Sequence, residues 1–257
     1  MSGTFTPMPG AAPMPKMVVT QARMESRLML RNGEQLLIAV VIPVVVLVGL
    51  VSASDSLSLD NDHSAVDVIT PGVLALAVLS TAFTSLAIAT GFERRYGVLK
   101  RLGTSPLPRS GLLAGKILAL LLVEVLQIAV ISVVALLLGW SPSPGPVGLV
   151  GAVLAVLLGT AAFASLGLLL AGTLRAEATL AVANLVYLLL LAGGAVILPA
   201  TAYGAFGDIA VWLPSGALGE AMRDAFLHAE IAWRELVVLG GWAVVGGFAA
   251  SRTFSWE

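Results

Sequence analysis

Few residues in this chain are equipped for chemistry, and each stands in surroundings that restrict what it can do. Glu124 and Gln127 lie one helical turn apart inside the apolar run "LLAGKILALLLVEVLQIAVISVVALLLGW", Leu112 to Trp140. A carboxylic acid there can line a translocation path, facing a cationic amphiphile. It can instead join helices as a protonated or hydrogen-bonded group, with Gln127, Asn184 or Tyr187 as partners. Lys116 precedes Glu124 by eight residues, about 80° away round a helix, so no direct ion pair between them is expected. The stretch "SGLLAGKI" is only superficially a phosphate loop. Walker A needs four residues between its glycines and Ser or Thr after the Lys; Gly111 and Gly115 have three between them, and Ile117 follows Lys116. No ATP site is expected here, and Lys116 is expected to snorkel from about 6 Å inside its helix. "LDNDHSAVD" offers Asp60, Asp62, His63 and Asp67, but Ala65 replaces the Gly that a calcium loop requires and Pro71 its closing Glu. A solvated acidic loop with no metal is the reading. The two histidines, His63 and His228, fall outside the apolar runs and no Gly-x-Ser-x-Gly elbow occurs, which disfavours a hydrolase. With no cysteine, thiolate chemistry and disulfides are excluded.

Composition explains the surroundings. Of 257 residues, 58% are hydrophobic and only 11% charged, against about 25% charged in ordinary soluble domains. Mean hydropathy is +0.98. Such a chain cannot cover a soluble surface, so it is read as an all-α, polytopic integral membrane protein. The apolar runs are Gln35–Val51, Pro71–Phe92, Leu112–Trp140, Val147–Leu174, Ala178–Pro199 and the short Leu236–Ala250. Each can cross a core about 30 Å thick as a helix, and none alternates as a strand would.

Basic residues set the orientation. With a cytoplasmic N-terminus, the inner side holds Lys16, Arg23, Arg27, Arg31, Arg94, Arg95, Lys100, Arg101, Arg109, Lys116, Arg175 and Arg252, and the outer side only Arg223 and Arg234, a split of 12 to 2. Both termini are therefore expected in the cytoplasm. Residues 1–16 read as a disordered cytoplasmic tail without a secretory signal. Residues 17–34 read as a basic amphipathic helix in the inner membrane interface, with Met17, Gln21, Met24, Leu28 and Leu36 near one face and Arg23, Arg27 and Arg31 elsewhere. Asn32-Gly33 turns the chain upward, and six spans occupy 35–250.

Several smaller features concern packing. Gly151, Ala155, Gly159, Gly167 and Ala171 form a smooth ridge, as do Ala243 and Gly247. The hydroxyl rows Ser80/Thr84 and Thr81/Ser85 are expected to bond their own helix carbonyls, and Pro43 to kink the first span. "SGALGEAMRDAFLHAEIAW" places Leu218, Met222, Phe226 and Ala229 on one face and Glu220, Asp224 and His228 on another, with Ser215 as N-cap. It is expected at the outer interface, gating exit or covering helix ends.

The most informative segment is "FERRYGVLKRLGTSPLPRSGLLAGKIL", Phe92 to Leu118, with six of the fourteen Lys and Arg. Positive charge alone can serve as a topology anchor. Anchoring requires neither a helix with Tyr96, Leu99 and Leu102 on one face nor the stops Gly103 and Pro106 after it, with Ser110 capping the next helix. A short rigid helix below the bilayer is a knob that a cytoplasmic partner can push.

This segment resembles the coupling helix of permease subunits of type-2 ATP-binding-cassette (ABC-2) exporters, especially the daunorubicin-resistance type. The elbow "RMESRLMLRNGEQLLIAVVIPVV", including Arg31, Asn32 and Pro43, and the outer "WLPSGALGEAMRDAF" are similar too, so the resemblance covers nearly all of 17–257. It implies that Glu93, Arg94, Arg95, Tyr96, Gly97, Leu99, Lys100, Arg101, Leu102, Thr104 and Pro106 form the surface docked into a cassette ATPase subunit. It also implies a second permease copy or homologous permease, ATP and Mg on the partner subunit with no cofactor on this chain, and export of a drug, lipid or glycolipid across the cell membrane. A proton-coupled transporter using Glu124 is the alternative, but the chain lacks the internal repeat such folds show. Nucleic acid is disfavoured because the basic residues are membrane-adjacent.

Overall fold

Helix formation begins where a proline can tolerate it. In the computed structural model, which describes residues 12–31, 33–53, 63–102, 104 and 107–253, helix α1 runs Met14–Arg31. It starts three residues before the expected boundary because Pro15 fits a first turn, where its missing N–H has no partner to lose. Residues 1–11 of the expected tail, and Asn32, lie outside the described residues. The described regular structure is entirely helical.

Helix α1 turns the expected arrangement round. It buries Gln21, Ala22, Glu25 and Ser26 and exposes Val19, Met24, Leu28 and Leu30. The polar stripe packs because helix α6 (Arg109–Leu137) offers glycines to it. A Cβ added to Gly115 would meet Gln21 Cγ at 2.6 Å, so only glycine admits α1 this closely.

Helix α2, Gly33–Ser52, contains Pro43 and covers the first expected span. Next, α3 (Ala65–Leu79), a π-helical stretch (Ser80–Ser85) and α4 (Leu86–Arg95) form one rod of 31 residues, Ala65–Arg95. The rod begins six residues before Pro71 because Ser64 caps it: Asp67 N–H donates to Ser64 Oγ at 3.3 Å and Ser64 Oγ donates to Asp67 Oδ2 at 2.5 Å. Pro71 is absorbed inside the helix. Every residue from Val68 to Leu79 is buried, so α3 is the central strut, contacted by α2, α6, α7 (Gly145–Thr173) and α10 (Pro214–Arg223).

After a break at Gly97 come α5 (Val98–Leu102), α6 (Arg109–Leu137), α7 (Gly145–Thr173) and α8 (Ala176–Gly193). A 3₁₀ turn (Ala200–Phe206), α9 (Gly207–Ala210), α10 (Pro214–Arg223), a second π turn (Asp224–His228) and α11 (Trp233–Thr253) complete the chain. Pro108, not Ser110, is the N-cap of α6, and Leu213, not Ser215, that of α10. In α10 the first helical position belongs to Pro214, whose fixed φ suits it. Among the described residues five helices are long and apolar enough to cross a membrane: Ala65–Arg95, Ser110–Leu137, Gly145–Thr173, Ala176–Gly193 and Trp233–Thr253. Within α2 the stretch Ala39–Ser52 is apolar but shorter.

The small-residue ridge of α7 is used inside the chain. Gly159 lies under Leu218 of α10, where a Cβ would come within 2.9 Å of a methyl, and Gly167 backs onto the Phe83 carbonyl, also at 2.9 Å. Against α7, α11 presents Gly246 to Ser165, while Gly247 faces open space. The expected ridge in the last span is thus displaced by one residue, a rotation of about 100°.

The segment after α8 departs most from expectation. The helix ends at Gly193, six residues short of Pro199, and Ala195, with φ 51°, reverses the chain. The buried stretch Ala195–Ile197 then lies between two glycines. A Cβ on Gly72 would come within 2.7 Å of Ile197 Cα, and one on Gly219 within 2.5 Å of the Val196 oxygen. The side chain of Arg223, 3% exposed, donates to the carbonyls of Ala195 (3.0 Å), Ile197 (3.0 Å) and Val196 (3.3 Å). Irregular backbone of this kind is tolerated in an apolar setting only where its polar groups are paired within the protein. The following helix α10 is therefore no surface element: nine of its ten residues are buried, Glu220 being the exception. Its Ser215 hydroxyl donates to the Gly194 carbonyl at 2.9 Å.

Candidate functional site

Three consecutive residues at the end of the long rod reach three different parts of the bundle. Glu93 Oε1 accepts from Lys116 Nζ of α6 at 2.7 Å, and the same ammonium lies 3.1 Å from Glu25 Oε1 of α1. Gln21 Nε2 donates to Glu25 at 2.8 Å. Lys116 is 7% exposed and does not snorkel, because two carboxylates compensate its charge where it stands. Arg94 donates to the carbonyls of Gly172 (2.6 Å) and Leu174 (2.7 Å), occupying the C-terminus of α7, where the helix dipole favours a cation. Arg95 pairs with Glu177 in the first turn of α8.

The single helix expected over "ERRYGVLKRL" is two pieces. Tyr96 closes α4 with φ −86° and ψ 6°, and Gly97 takes φ +68°, a conformation that favours glycine. The axis changes there, so Tyr96, Leu99 and Leu102 do not share a face. Tyr96 is 65% exposed whereas Leu99 is buried and Leu102 half-buried. Lys100, Arg101 and Thr104 are exposed; Pro106 and Gly103 lie outside the described residues. Of the residues assigned to docking, Glu93, Arg94 and Arg95 are thus committed to bonds within the chain. Lys100 and Arg101 present side chains with no partner among the described residues, and Tyr96, though exposed, stacks on Phe92 and lies under the Arg95 guanidinium. Sequence reasoning missed Glu25 and Glu177. The signal for Glu25 was a lone acid on a basic helix, in a chain whose third span begins with an uncompensated lysine.

Glu124 and Gln127 form a second polar row, in the middle of α6. Gln127 accepts from Thr81 Oγ1 at 2.8 Å and donates to the Ala39 carbonyl at 2.9 Å, linking α6 to the π stretch and α2. Glu124 Oε2 and the Val156 carbonyl both lie 2.7 Å from Thr160 Oγ1. A hydroxyl has one proton, so both bonds form when the Glu124 carboxyl donates to Thr160 and Thr160 donates to Val156. Glu124 is 1% and Gln127 0% exposed. Among the described residues Glu124 is bonded to Thr160 and not to the expected Gln127, Asn184 or Tyr187, its Oε1 has no hydrogen-bond partner, and Gln127 bonds Thr81 and Ala39. Thr81 crosses to another helix instead of bonding its own, and Thr84 Oγ1 has no hydrogen-bond partner among the described residues.

At the opposite end, Asp67 is taken up by its cap and by Ser141 N–H at 3.0 Å. The rings of His63 and His228 meet edge to face at 6.2 Å, with His228 Nδ1 3.1 Å from Asp224 Oδ1. Among the described residues no cluster of three or more side chains has the arrangement of a metal site; Asp60 and Asp62 lie outside them.

Two comparisons bear on this arrangement. A search of curated proteins finds no match. The ABC-2 type transporter family matches residues 18–227, from α1 to the π turn after α10. That match takes in the basic break at Gly97, the central rod and the buried α10. The chain therefore belongs to the ABC-2 type transporter family, as a multi-pass, all-helical membrane component of a transporter.

Proposed function

We propose that this chain is the permease half of an ATP-driven exporter of the daunorubicin-resistance type, in which a separate cassette ATPase docks on α5 and its flanks. The observation that carries this reading is the fan of bonds from Glu93, Arg94 and Arg95. A displacement of α5 reaches α1 and α6 through Lys116, α7 through its terminal carbonyls, and α8 through Glu177. The free cations Lys100 and Arg101 and the exposed Tyr96 supply a contact surface beside that fan. Nucleotide and Mg belong to the partner subunit. The 12 to 2 distribution of Lys and Arg supports a cytoplasmic α5 end and cytoplasmic termini in the cell membrane. A second permease is supported by Asn184, an amide at mid-helix in α8 that is exposed and unpartnered among the described residues and so calls for a polar neighbour outside the chain. The substrate class that suits apolar walls is a hydrophobic or amphiphilic drug, lipid or glycolipid.

The test is affinity purification of the tagged chain from its native membrane in mild detergent, with mass spectrometry. A cassette ATPase is expected with the wild type, and it should be lost in Lys100→Glu/Arg101→Glu, which breaks no side-chain bond among the described residues. Arg94→Gln is expected to keep the ATPase bound while uncoupling its hydrolysis from transport. Recovery of no ATPase from conditions that preserve other exporters would falsify the docking reading.

A further inference from the structure

We propose that the outward face of α1 binds the phosphate headgroups of anionic phospholipids in the leaflet adjoining the α5 end; this rests on the membrane orientation given above. Lys16, Arg23, Arg27 and Arg31 are all exposed, and none has an ion-pair or side-chain hydrogen-bond partner among the described residues. At 100° per residue these four fall within an arc of about 80°, opposite the packed stripe of Gln21, Ala22, Glu25 and Ser26. The lone acid of α1, Glu25, is turned away and held by Lys116. Exposed Val19 and Leu30 border the basic row on one side, Met24 and Leu28 on the other.

Cations in the centre and apolar residues at both edges fit one environment, the boundary between headgroups and acyl chains. An acidic soluble protein would satisfy the arginines and leave the apolar borders in water. A zwitterionic surface would cover the borders and leave the row without net counter-charge. On α5 itself, by contrast, the exposed cations are Lys100 and Arg101 alone, beside Tyr96 stacked on Phe92 and the exposed Val98.

The experiment uses the full chain in phosphatidylcholine vesicles carrying traces of spin-labelled phosphatidylglycerol or spin-labelled phosphatidylcholine, and reads the motionally restricted fraction. The wild type is expected to hold the anionic label about threefold more strongly, the preference shrinking in high salt. It should fall toward one in Arg23→Gln/Arg27→Gln/Arg31→Gln, persist in the matching Lys variant, and persist in Lys100→Gln/Arg101→Gln. Should the triple Gln variant not reconstitute, Arg27→Gln alone must lower the preference. Equal retention of both labels by the wild type, or an unchanged preference in the Gln variants, overturns the proposal. So does a Gln variant that keeps the lipid preference and loses a co-purified ATPase, since the row is then a protein contact. Because the vesicles contain this chain alone, the outcome does not depend on whether an ATPase partner exists.

Discussion

The two ends of the bundle solve the same problem, polar groups in an apolar chain, by different means. At the α5 end, charged side chains compensate one another across helices: Glu25 and Glu93 around Lys116, Arg95 with Glu177, Arg94 on the carbonyls of α7. At the α10 end one ion pair, Arg223 with Glu220, serves mainly the backbone: the guanidinium also holds three buried carbonyls, of Ala195, Val196 and Ile197, in a segment wedged between Gly72 and Gly219. Side-chain pairs can slide, exchange partners or be replaced in concert. A backbone segment pressed between glycines has one arrangement. The α5 end is accordingly suited to passing on a displacement, and the α10 end to resisting one.

That contrast can be broken most severely at the glycines. Gly72→Val is expected to abolish a monodisperse folded protein, because its side chain would occupy the position of Ile197 backbone, with no flexible atom to yield; size-exclusion chromatography of the detergent-solubilised chain reads this directly. Next in size is Arg223→Met, which leaves three buried carbonyls without donors and should cost about 3 kcal/mol or more, seen as a lowered thermal midpoint by tryptophan fluorescence. Lys116→Met should cost a comparable or slightly smaller amount, about 2 to 4 kcal/mol, by stranding two carboxylates.

The sharper comparison lies in the rescue. Neutralising the cluster as a whole, Lys116→Met/Glu25→Gln/Glu93→Gln, should return the midpoint to near the wild-type value, whereas no second substitution near Arg223 can supply donors to three backbone oxygens. Failure of that rescue would mean that the α5 end is as rigidly specified as the other. The smallest expected effect is Glu124→Gln, under about 1 kcal/mol, since an amide can still donate to Thr160. A change in transport without loss of stability would return Glu124 to a role on the substrate path.

How far the molecule was legible varied with the range of the interaction. Apolar runs marked the spans to within a turn or so for most helices, because hydrophobic length is a local property. The basic segment between the second and third spans was legible for the same reason, but its break at Gly97 was not: one helix was expected across it. The orientation of α1 was not: its amphipathic pattern pointed Gln21 and Met24 the same way, and the structure separates them because Gly115 and Lys116, some ninety residues on, select the polar stripe. The outer segment misled for a related reason. "GGAVILP" continues an apolar run, and nothing local announces that Ser215 and Arg223 will take the carbonyls released when the helix stops.

By itself, then, the order of residues determined an all-helical membrane chain, the places where helices can cross, and a charged segment between the second and third spans. Those follow from transfer of apolar length out of water and from backbone hydrogen bonds that close within each helix. Only the tertiary structure decided which carboxylates face Lys116, that Glu124 meets Thr160, and that α10 is buried instead of lying on a surface. Each of these pairs groups far apart in the chain, and a buried polar group takes whichever partner packing brings within reach.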